Sequence, residues 1–280
     1  MRREIYKHNG RFHRLTVTED DNLRVLRFER NPQSSMFIDD PYETDIEYVG
    51  YFHAALALKA NATRVLAVGL GGGSVVKRMW RDYPHMTIDA VELDPAVLSI
   101  AREYFALPKD PRIRITVGDG RRFLEDAEGE TWDLILVDAF DDFEIPHRLV
   151  TEEFIRTARS RLADDGVMAY NVIGRVHGDK SKYFRSLYRT VRNVFSSVWV
   201  FVVAPNTPLV LTEDRNIVML CSDTHVTAEE LVARIRDRVG GLVTVPEFEA
   251  YADDLYLDPI RAGDVPFLLD PPPSGHRHGG

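Results

Sequence analysis

The chain has 280 residues, 44% of them hydrophobic, and a formal net charge of −9. This length and composition allow a sizeable core in one large domain or in a domain with a small appendage. The acidic balance disfavours nucleic-acid binding and suits a cationic partner. The single cysteine, Cys221, excludes a disulfide framework and a multi-cysteine metal site, and its apolar neighbours predict a buried strand.

No window approaches the roughly 20 apolar residues of a membrane span, and no signal-peptide pattern follows the charged residues at the amino terminus. We therefore expect a cytoplasmic protein without a membrane partner. We also expect no bound metal, because the histidines near the carboxyl terminus lie in a polar tail.

Polar and apolar residues alternate over residues 3–30, with turn signals at Asn9-Gly10 and at residues 20–22. This alternation predicts antiparallel hairpins, which Asn31-Pro32 closes. We assign residues 1–44 to a small N-terminal β-domain.

Residues 44–47, Thr-Asp-Ile-Glu, have the form of a capping box and are followed by apolar residues at helical spacing. A helix is therefore expected to lead into the next strand. From there strand and helix patterns alternate. The predicted strands cover 64–69, 87–93, 112–117, 132–138 and 166–172, and the predicted helices cover 74–83, 95–104, 121–126 and 151–162.

Regular alternation of this kind implies a parallel α/β sheet with helices on both faces. A further helix is expected around Tyr183–Phe195, and strands near 198–203 and 215–221 suggest an antiparallel hairpin at the sheet edge. Thr227 opens a last helix that ends at Gly240-Gly241. Residues 45–241 form the predicted α/β domain. Residues 242–280 form an extension whose tail, from Pro271, is expected to be disordered.

Residues 65–74 read Val-Leu-Ala-Val-Gly-Leu-Gly-Gly-Gly-Ser, which predicts a strand, a tight turn and a helix. Glycines serve where backbone angles are unusual or where the backbone approaches a ligand. Gly69, Gly71 and Gly73 suit the turn of methyltransferase-like folds, whereas the dinucleotide fingerprint requires a glycine in place of Ser74. A turn without any ligand is the alternative.

Acidic residues follow the next two strands. Glu92 lies about 20 residues beyond the glycine turn, where a carboxylate can accept hydrogen bonds from ribose hydroxyls. Glu92 or Asp94 can instead cap the helix that Pro95 begins. Gly118-Asp119-Gly120 is either a simple turn or a site where Asp119 accepts a hydrogen bond from an adenine amino group.

The fourth strand runs into an acidic loop that contains Asp138, Asp141, Asp142 and Glu144. Four carboxylates so close together repel one another unless solvent screens them or a cation lies among them. A solvated loop is the alternative. The position favours a cation, because ligands bind beyond the carboxyl ends of parallel strands.

Together these four segments resemble the spermidine synthase family of polyamine aminopropyltransferases, and the likeness extends over roughly residues 5–225. The resemblance implies a Rossmann-like, seven-stranded sheet of methyltransferase type behind the N-terminal β-domain. It also implies transfer of an aminopropyl group from decarboxylated S-adenosylmethionine to a diamine or polyamine, with release of methylthioadenosine.

The resemblance assigns roles to individual residues. Gly69, Gly71, Gly73, Ser74 and Gly120 would lie on the nucleoside, with Glu92 on the ribose and Asp119 on the adenine amine. Asp141 would be the catalytic base, since an amine must lose a proton before it attacks a sulfonium-bound methylene. Asp138, Gln33 and Tyr48 would bind a small cationic amine. The family also suggests a homodimer.

Two departures keep other functions open. Ser74 replaces the family's aspartate that recognises the donor amine, and Asp142-Phe143-Glu144-Ile145-Pro146 replaces Pro-x-Gly-Pro. A serine tolerates the carboxylate of intact S-adenosylmethionine, which an aspartate repels. The alternatives are therefore a methyltransferase that uses intact S-adenosylmethionine and a non-catalytic protein that binds a nucleoside or a polyamine.

Overall fold

The chain forms two β-sheets, described here in a computed structural model over residues 2–141, 145–203 and 213–272. The smaller sheet is an antiparallel meander of β1 (Arg3–Asn9), β2 (Arg14–Asp20), β3 (Leu23–Phe28) and β4 (Asn31–Phe37). Its inner face packs on the helix Pro95–Tyr104. Leu15, Leu26 and Val97 are among the fully buried residues of this contact, which joins the small sheet to the rest of the fold.

The larger sheet has seven strands. In chain order they are β5 (Arg64–Val68), β6 (Thr87–Glu92), β7 (Ile113–Val117), β8 (Trp132–Val137), β9 (Leu162–Gly174), β10 (Ser197–Val202) and β11 (Arg215–Ser222). Across the sheet the order is β10-β11-β9-β8-β5-β6-β7, and β11 runs antiparallel to both of its neighbours. The crossovers place the carboxyl ends of β5 to β8 along one edge.

Helices cover both faces of the large sheet, as the alternating pattern predicts. The α-helices are α1 (Tyr48–Tyr51), α2 (Ser74–Asp82), α3 (Pro95–Tyr104), α4 (Gly120–Asp126), α5 (Glu152–Ser160), α6 (Lys182–Arg192) and α7 (Ala228–Arg236). Short 3-10 helices cover Phe52–Ala57, His147–Leu149, Asp179–Ser181 and Phe248–Asp254. Among the described helices, none is long and apolar enough to cross a membrane.

Several local predictions are confirmed. Asp94 caps α3 by accepting a hydrogen bond from the backbone N–H of Ala96 at 2.8 Å. Thr227 and Glu230 form a full capping box at α7. Strands β10 and β11 form the expected antiparallel edge pair, with β10 outermost. Cys221 is fully buried in β11, and burial raises the pKa of its thiol.

The predicted capping box at residues 44–47 is wrong. Helix α1 begins at Tyr48, lasts one turn and continues as a 3-10 helix from Phe52, and Glu47 makes no side-chain cap. The Thr44 hydroxyl accepts from the backbone N–H of Ile46 and also hydrogen-bonds Ser35 of β4. These polar side chains therefore join the loop to the small sheet instead of starting a helix.

Two other boundaries differ from expectation. Asn31-Pro32 does not close the N-terminal unit but begins β4, where a proline is tolerated because β4 pairs on one side only, with β3. Helix α7 ends at Arg236, and the chain turns at Arg238–Gly241, where Val239 and Gly240 have left-handed backbone angles.

The C-terminal extension packs on the large sheet through Phe248, Leu255 and other apolar side chains. Hydrophobic contacts spaced irregularly along the chain hold it there, which explains why sequence periodicity does not detect it. The predicted disordered tail lies largely outside the described residues, since these end at residue 272.

The glycine turn generates a stability prediction. A Cβ at Gly69 would lie 2.2 Å from the carbonyl oxygen of Asp138, and Gly69 has a φ of +99°. Gly129 is a matched control because its φ is +81° but a Cβ added there would have no atom within 4 Å. Both alanine variants carry the left-handed cost of about 1–2 kcal/mol. Gly69→Ala should cost a further 1–3 kcal/mol, roughly the penalty of overpacking.

Urea unfolding of the two variants and the wild type measures this difference. Equal destabilisation by Gly69→Ala and Gly129→Ala would show that the contact between the ends of β5 and β8 imposes no constraint.

Candidate active site

A cavity of about 810 Å³, its open mouth included, lies at the carboxyl ends of β5, β6, β7 and β8. The small sheet forms the opposite wall with side chains from its turns and strands. Seven of the residues predicted for the site line this cavity: Gln33, Tyr48, Gly69, Gly71, Glu92, Gly120 and Asp138. The fold therefore brings together residues that are up to 105 positions apart in sequence, from Gln33 to Asp138.

The glycine turn after β5 has the unusual backbone angles that its sequence predicts. Gly69, Gly71 and Gly73 have φ values of +99°, +54° and +79°. The N–H of Gly72 donates to the hydroxyl oxygen of Ser34 in β4 at 2.8 Å. The small sheet thus holds the turn directly and fixes its position over the cavity.

Glu92 ties this turn to the end of β6. Its carboxylate accepts hydrogen bonds from the backbone N–H groups of Leu70 at 3.1 Å, Gly71 at 3.4 Å and Asp94 at 2.9 Å. Burial raises the pKa of Glu92, and these three donors oppose that rise. The N–H groups of Leu70 and Gly71 share Oε2, whereas Oε1 accepts from Asp94 alone, so Oε1 can also accept a hydrogen bond from a hydroxyl group of a ligand in the cavity.

Asp138, which follows β8, is held by side chains from two other elements. Its two oxygens accept from the hydroxyl of Tyr48 at 3.1 Å and from the side-chain amide of Asn171 at 3.0 Å. Asn171 in turn accepts from the side-chain amide of Asn216 at 3.0 Å. Burial raises the pKa of Asp138 to about 6, although both hydrogen bonds lower it.

Asp141 lies in a different setting. Its side chain is 73% exposed, and one oxygen is 3.7 Å from Nε2 of His13, which belongs to the turn between β1 and β2. The His13 ring stacks on Phe28 at 4.7 Å between ring centroids, so the small sheet holds it against the cavity. Asp142 and Glu144, the other acids of this loop, lie outside the described residues.

Asp119 is placed beside the cavity but not on its wall. One oxygen caps α4 by accepting from the N–H groups of Arg121 and Arg122 at 2.9 and 3.0 Å. The other is 2.5 Å from Nε of Arg148. Its neighbours Gly118 and Gly120 do line the cavity. Contact between Asp119 and an adenine amine stays a prediction.

Ser74 and Gly73 lie behind the glycine turn. Gly73 precedes the first turn of α2, and the Ser74 hydroxyl donates to the carbonyl oxygen of Ser35 at 3.2 Å. Ser74 faces a smaller recess, which shares Gln33, Tyr48 and Asp138 with the main cavity. The described part of this recess has one carboxylate, that of Asp138, and otherwise mostly apolar walls.

With this geometry in view, the comparisons with known proteins assign the family. The spermine/spermidine synthase domain matches residues 47–229, well over half of the chain. The chain belongs to the spermine/spermidine synthase family. This confirms the resemblance that its four strand-end motifs indicate.

Individual relatives agree with this assignment. A polyamine aminopropyltransferase from Vibrio vulnificus is 31% identical over 206 residues, which cover 71% of this chain and 67% of that protein. The crystal structure of spermidine synthase from Thermotoga maritima superposes with a TM-score of 0.72 at 21% identity, covering 91% and 85% of the two chains. Human methyltransferase-like protein 13 reaches 0.57 at 23% identity, over 67% of this chain and 88% of its own, and shares the fold.

Several residues of the site are not predicted from the sequence. His13, Phe28 and Arg148 reach the cavity from segments without a motif. Asn171 lies inside β9, where a polar residue within an apolar run is the available signal, whereas Asn216 follows Arg215 at the start of β11 and has no such signal. A buried asparagine requires hydrogen-bond partners, so its presence in a core strand indicates a polar neighbour.

The raised pKa of Asp138 predicts how stability depends on pH. The native carboxyl group titrates near 6, above its ordinary value of 3.8, so between these values the folded state binds more protons than the unfolded state. Stability from this group is complete below pH 3.8 and is lost as pH rises through 6. Asp138→Asn removes this pH-dependent loss of stability. The melting temperature of the variant minus that of the wild type should therefore be larger at pH 7.5 than at pH 4.

The full effect is at most about 3 kcal/mol, at about 1.4 kcal/mol per pKa unit. Calorimetric scans at the two pH values measure it, with the exposed Asp141 replaced by Asn as the control. A difference between Asp138→Asn and wild type that does not change with pH would contradict the raised pKa.

Proposed function

We propose that this protein transfers an aminopropyl group from decarboxylated S-adenosylmethionine to a small diamine or polyamine and releases methylthioadenosine. The observation that carries the proposal is a partly buried, hydrogen-bonded carboxylate, Asp138, which faces a cavity bounded by the glycine turn and Glu92. Family membership gives the reaction class, since its members are aminopropyltransferases.

The charges of the cavity suit this reaction. Both substrates are cationic, one as a sulfonium and the other as an ammonium, and the cavity wall carries the carboxylates of Glu92, Asp94 and Asp138. Opposite charges in a cleft with low-dielectric walls attract substrate and hold it. Glu92 would accept the ribose hydroxyls, and the backbone of Gly69 and Gly71 would lie against the nucleoside.

The chemical step requires a neutral amine. A substrate ammonium first gives a proton to a carboxylate, and the nitrogen lone pair then attacks the methylene carbon next to the sulfonium. The carbon–sulfur bond breaks with its electron pair on sulfur, which leaves a neutral thioether and a secondary ammonium. One proton is released overall.

We propose Asp138 as the group that accepts this proton. A carboxylate with a pKa near 6 is a stronger base than one at 3.8 and still ionised for the most part at pH 7. Tyr48 and Asn171 fix its orientation, and Gln33 and Tyr48 flank the amine. Asp141, at the exposed mouth, would attract the amine. The sequence-based assignment of the base to Asp141 stays a prediction that the same assay tests.

The assay incubates purified protein with putrescine and decarboxylated S-adenosylmethionine and quantifies methylthioadenosine and spermidine. Parallel reactions contain intact S-adenosylmethionine, because Ser74 faces the recess behind the glycine turn. Product from the decarboxylated donor supports the proposal. S-adenosylhomocysteine from the intact donor alone would replace it with methyl transfer, and nucleoside binding without turnover would indicate a non-catalytic relative.

Kinetic measurements distinguish the two candidate bases, Asp138 and Asp141. Asp138→Asn should lower kcat by 10²–10⁴-fold, the usual contribution of a general base, with donor binding retained. Asp141→Asn should raise the KM of the amine and lower kcat much less. The reverse pattern would assign the base to Asp141. The cytoplasmic location and the homodimer stay predictions.

A further inference from the structure

The cavity carries one strongly basic side chain among its acids. Of the described residues that line it, Arg148 is the single arginine or lysine. Arg148 belongs to the 3-10 helix His147–Leu149, in the segment between β8 and α5. A guanidinium repels both cationic substrates, so its presence in this cavity requires an explanation.

Asp119 holds the guanidinium at the β7 side of the cavity. The distance from Nε of Arg148 to the nearer Asp119 oxygen is 2.5 Å, and the other Asp119 oxygen is fixed by its bonds to the start of α4. Pairing through Nε leaves the terminal nitrogens of the guanidinium available for a ligand. Arg148 and Asp119 thus present a donor and an acceptor side by side.

The C-terminal segment Leu268–Asp270, here called the strap, braces the same helix. Its Leu269 carbonyl lies 3.0 Å from the ring nitrogen Nε2 of His147 in this helix, and its Leu268 carbonyl accepts at 2.8 Å from the N–H of Glu152, the first residue of α5. Asp270 accepts two hydrogen bonds from Arg121, both at 2.6 Å. Arg121 also donates to the carbonyl oxygen of Arg148 at 3.4 Å.

Position along the sheet indicates what Arg148 contacts. The cationic centres react beside Asp138, at the end of β8, and the partner of Arg148 follows β7, three strand spacings away. Three spacings amount to about 14 Å. Arg148 therefore lies far from the sulfonium. Its positive charge disfavours the opposite orientation of the donor, in which the sulfonium would lie beside the guanidinium. The neutral part of the nucleoside, its purine base, is the group left to face the guanidinium.

We propose that Arg148 binds the purine base of the nucleoside substrate and that the strap positions Arg148 for this role. A guanidinium stacks on a purine ring and donates to its ring nitrogens, which a lysine ammonium does less well. This inference rests on the proposed function, since it takes the cavity to hold a nucleoside.

The test measures binding of methylthioadenosine by calorimetry, and kinetics with both substrates, in wild type and Arg148→Ala. We expect about tenfold weaker binding of methylthioadenosine and a similarly raised KM for the donor. The KM of the amine and kcat at saturating donor should stay unchanged. A general loss of structure would change all four quantities, so this split separates base recognition from misfolding.

Arg122→Ala is the matched control, because Arg122 is also near the start of α4 but its side chain is 81% exposed and pairs with Asp126. It should bind methylthioadenosine as wild type does. Arg148→Lys should recover little of the affinity. Asp270→Asn, which weakens the strap without removing its backbone contacts, should weaken binding about threefold in the wild-type Arg148 background and not at all in Arg148→Ala.

Two results would overturn the inference while the proposed function stands. One is unchanged or tighter binding of methylthioadenosine by Arg148→Ala, which would mean that Arg148 shields Asp119 instead of binding the base. The other is an equal loss in Arg122→Ala. Failure of the wild type itself to bind methylthioadenosine would count against the proposed function.

Discussion

The close approach between the ends of β5 and β8 is the constraint on which the site depends. The backbone of Gly69 passes the Asp138 carbonyl so closely that no side chain fits between them. This contact brings the glycine turn and the Asp138 carboxylate to one wall of the same cavity. The parallel pairing of β5 and β8 supplies it, so the position of the acid is a property of the sheet and not of a mobile loop.

Partial burial of the Asp138 carboxylate has an energetic cost, which its hydrogen-bond partners reduce. Tyr48 from α1, Asn171 from β9 and Asn216 from β11 form a chain of hydrogen bonds that ends on the carboxylate. The amides are oriented by this chain, because an ionised carboxylate accepts and therefore requires a donor from each neighbour. Desolvation raises the pKa of Asp138 more than its two donors lower it, and the donors fix its orientation; a proton acceptor needs both properties.

The small sheet and the C-terminal segment complete the site from outside the large sheet. Ser34 holds the glycine turn, and His13 with Phe28 closes one side of the cavity. The strap reaches the opposite side through Arg121 and the helix that carries Arg148. Both additions surround a fold shared with methyltransferases, and they supply walls that the shared sheet lacks.

Features of the fold and the site that are encoded by a local sequence pattern are predicted correctly. The glycine turn, Glu92 and the alternation of strands and helices from β5 to β9 follow from motif and periodicity, since each is encoded within a short segment. The start of α1 is mispredicted because Thr44 and Asp45 bond to Ser35, a partner in another element. Asn171, Asn216 and Arg148 enter the site through tertiary contacts, so no spacing in the sequence marks them. Asp138 and Asp141, three residues apart, differ in exposure and in their partners, and both properties are set by tertiary contacts.

The central claim is that Asp138, held by Asn171, accepts the proton of the substrate amine. The pH dependence of kcat/KM for the amine at saturating donor tests it most directly. The account predicts an acid limb in the wild type, at or somewhat below the pKa of about 6 that Asp138 has in the empty cavity, because the bound sulfonium lowers this pKa. Asn171→Ala should shift this limb to higher pH, because it removes a donor that lowers the pKa of Asp138. A profile without an acid limb between pH 5 and 7, or a limb that Asn171→Ala leaves in place, would contradict it.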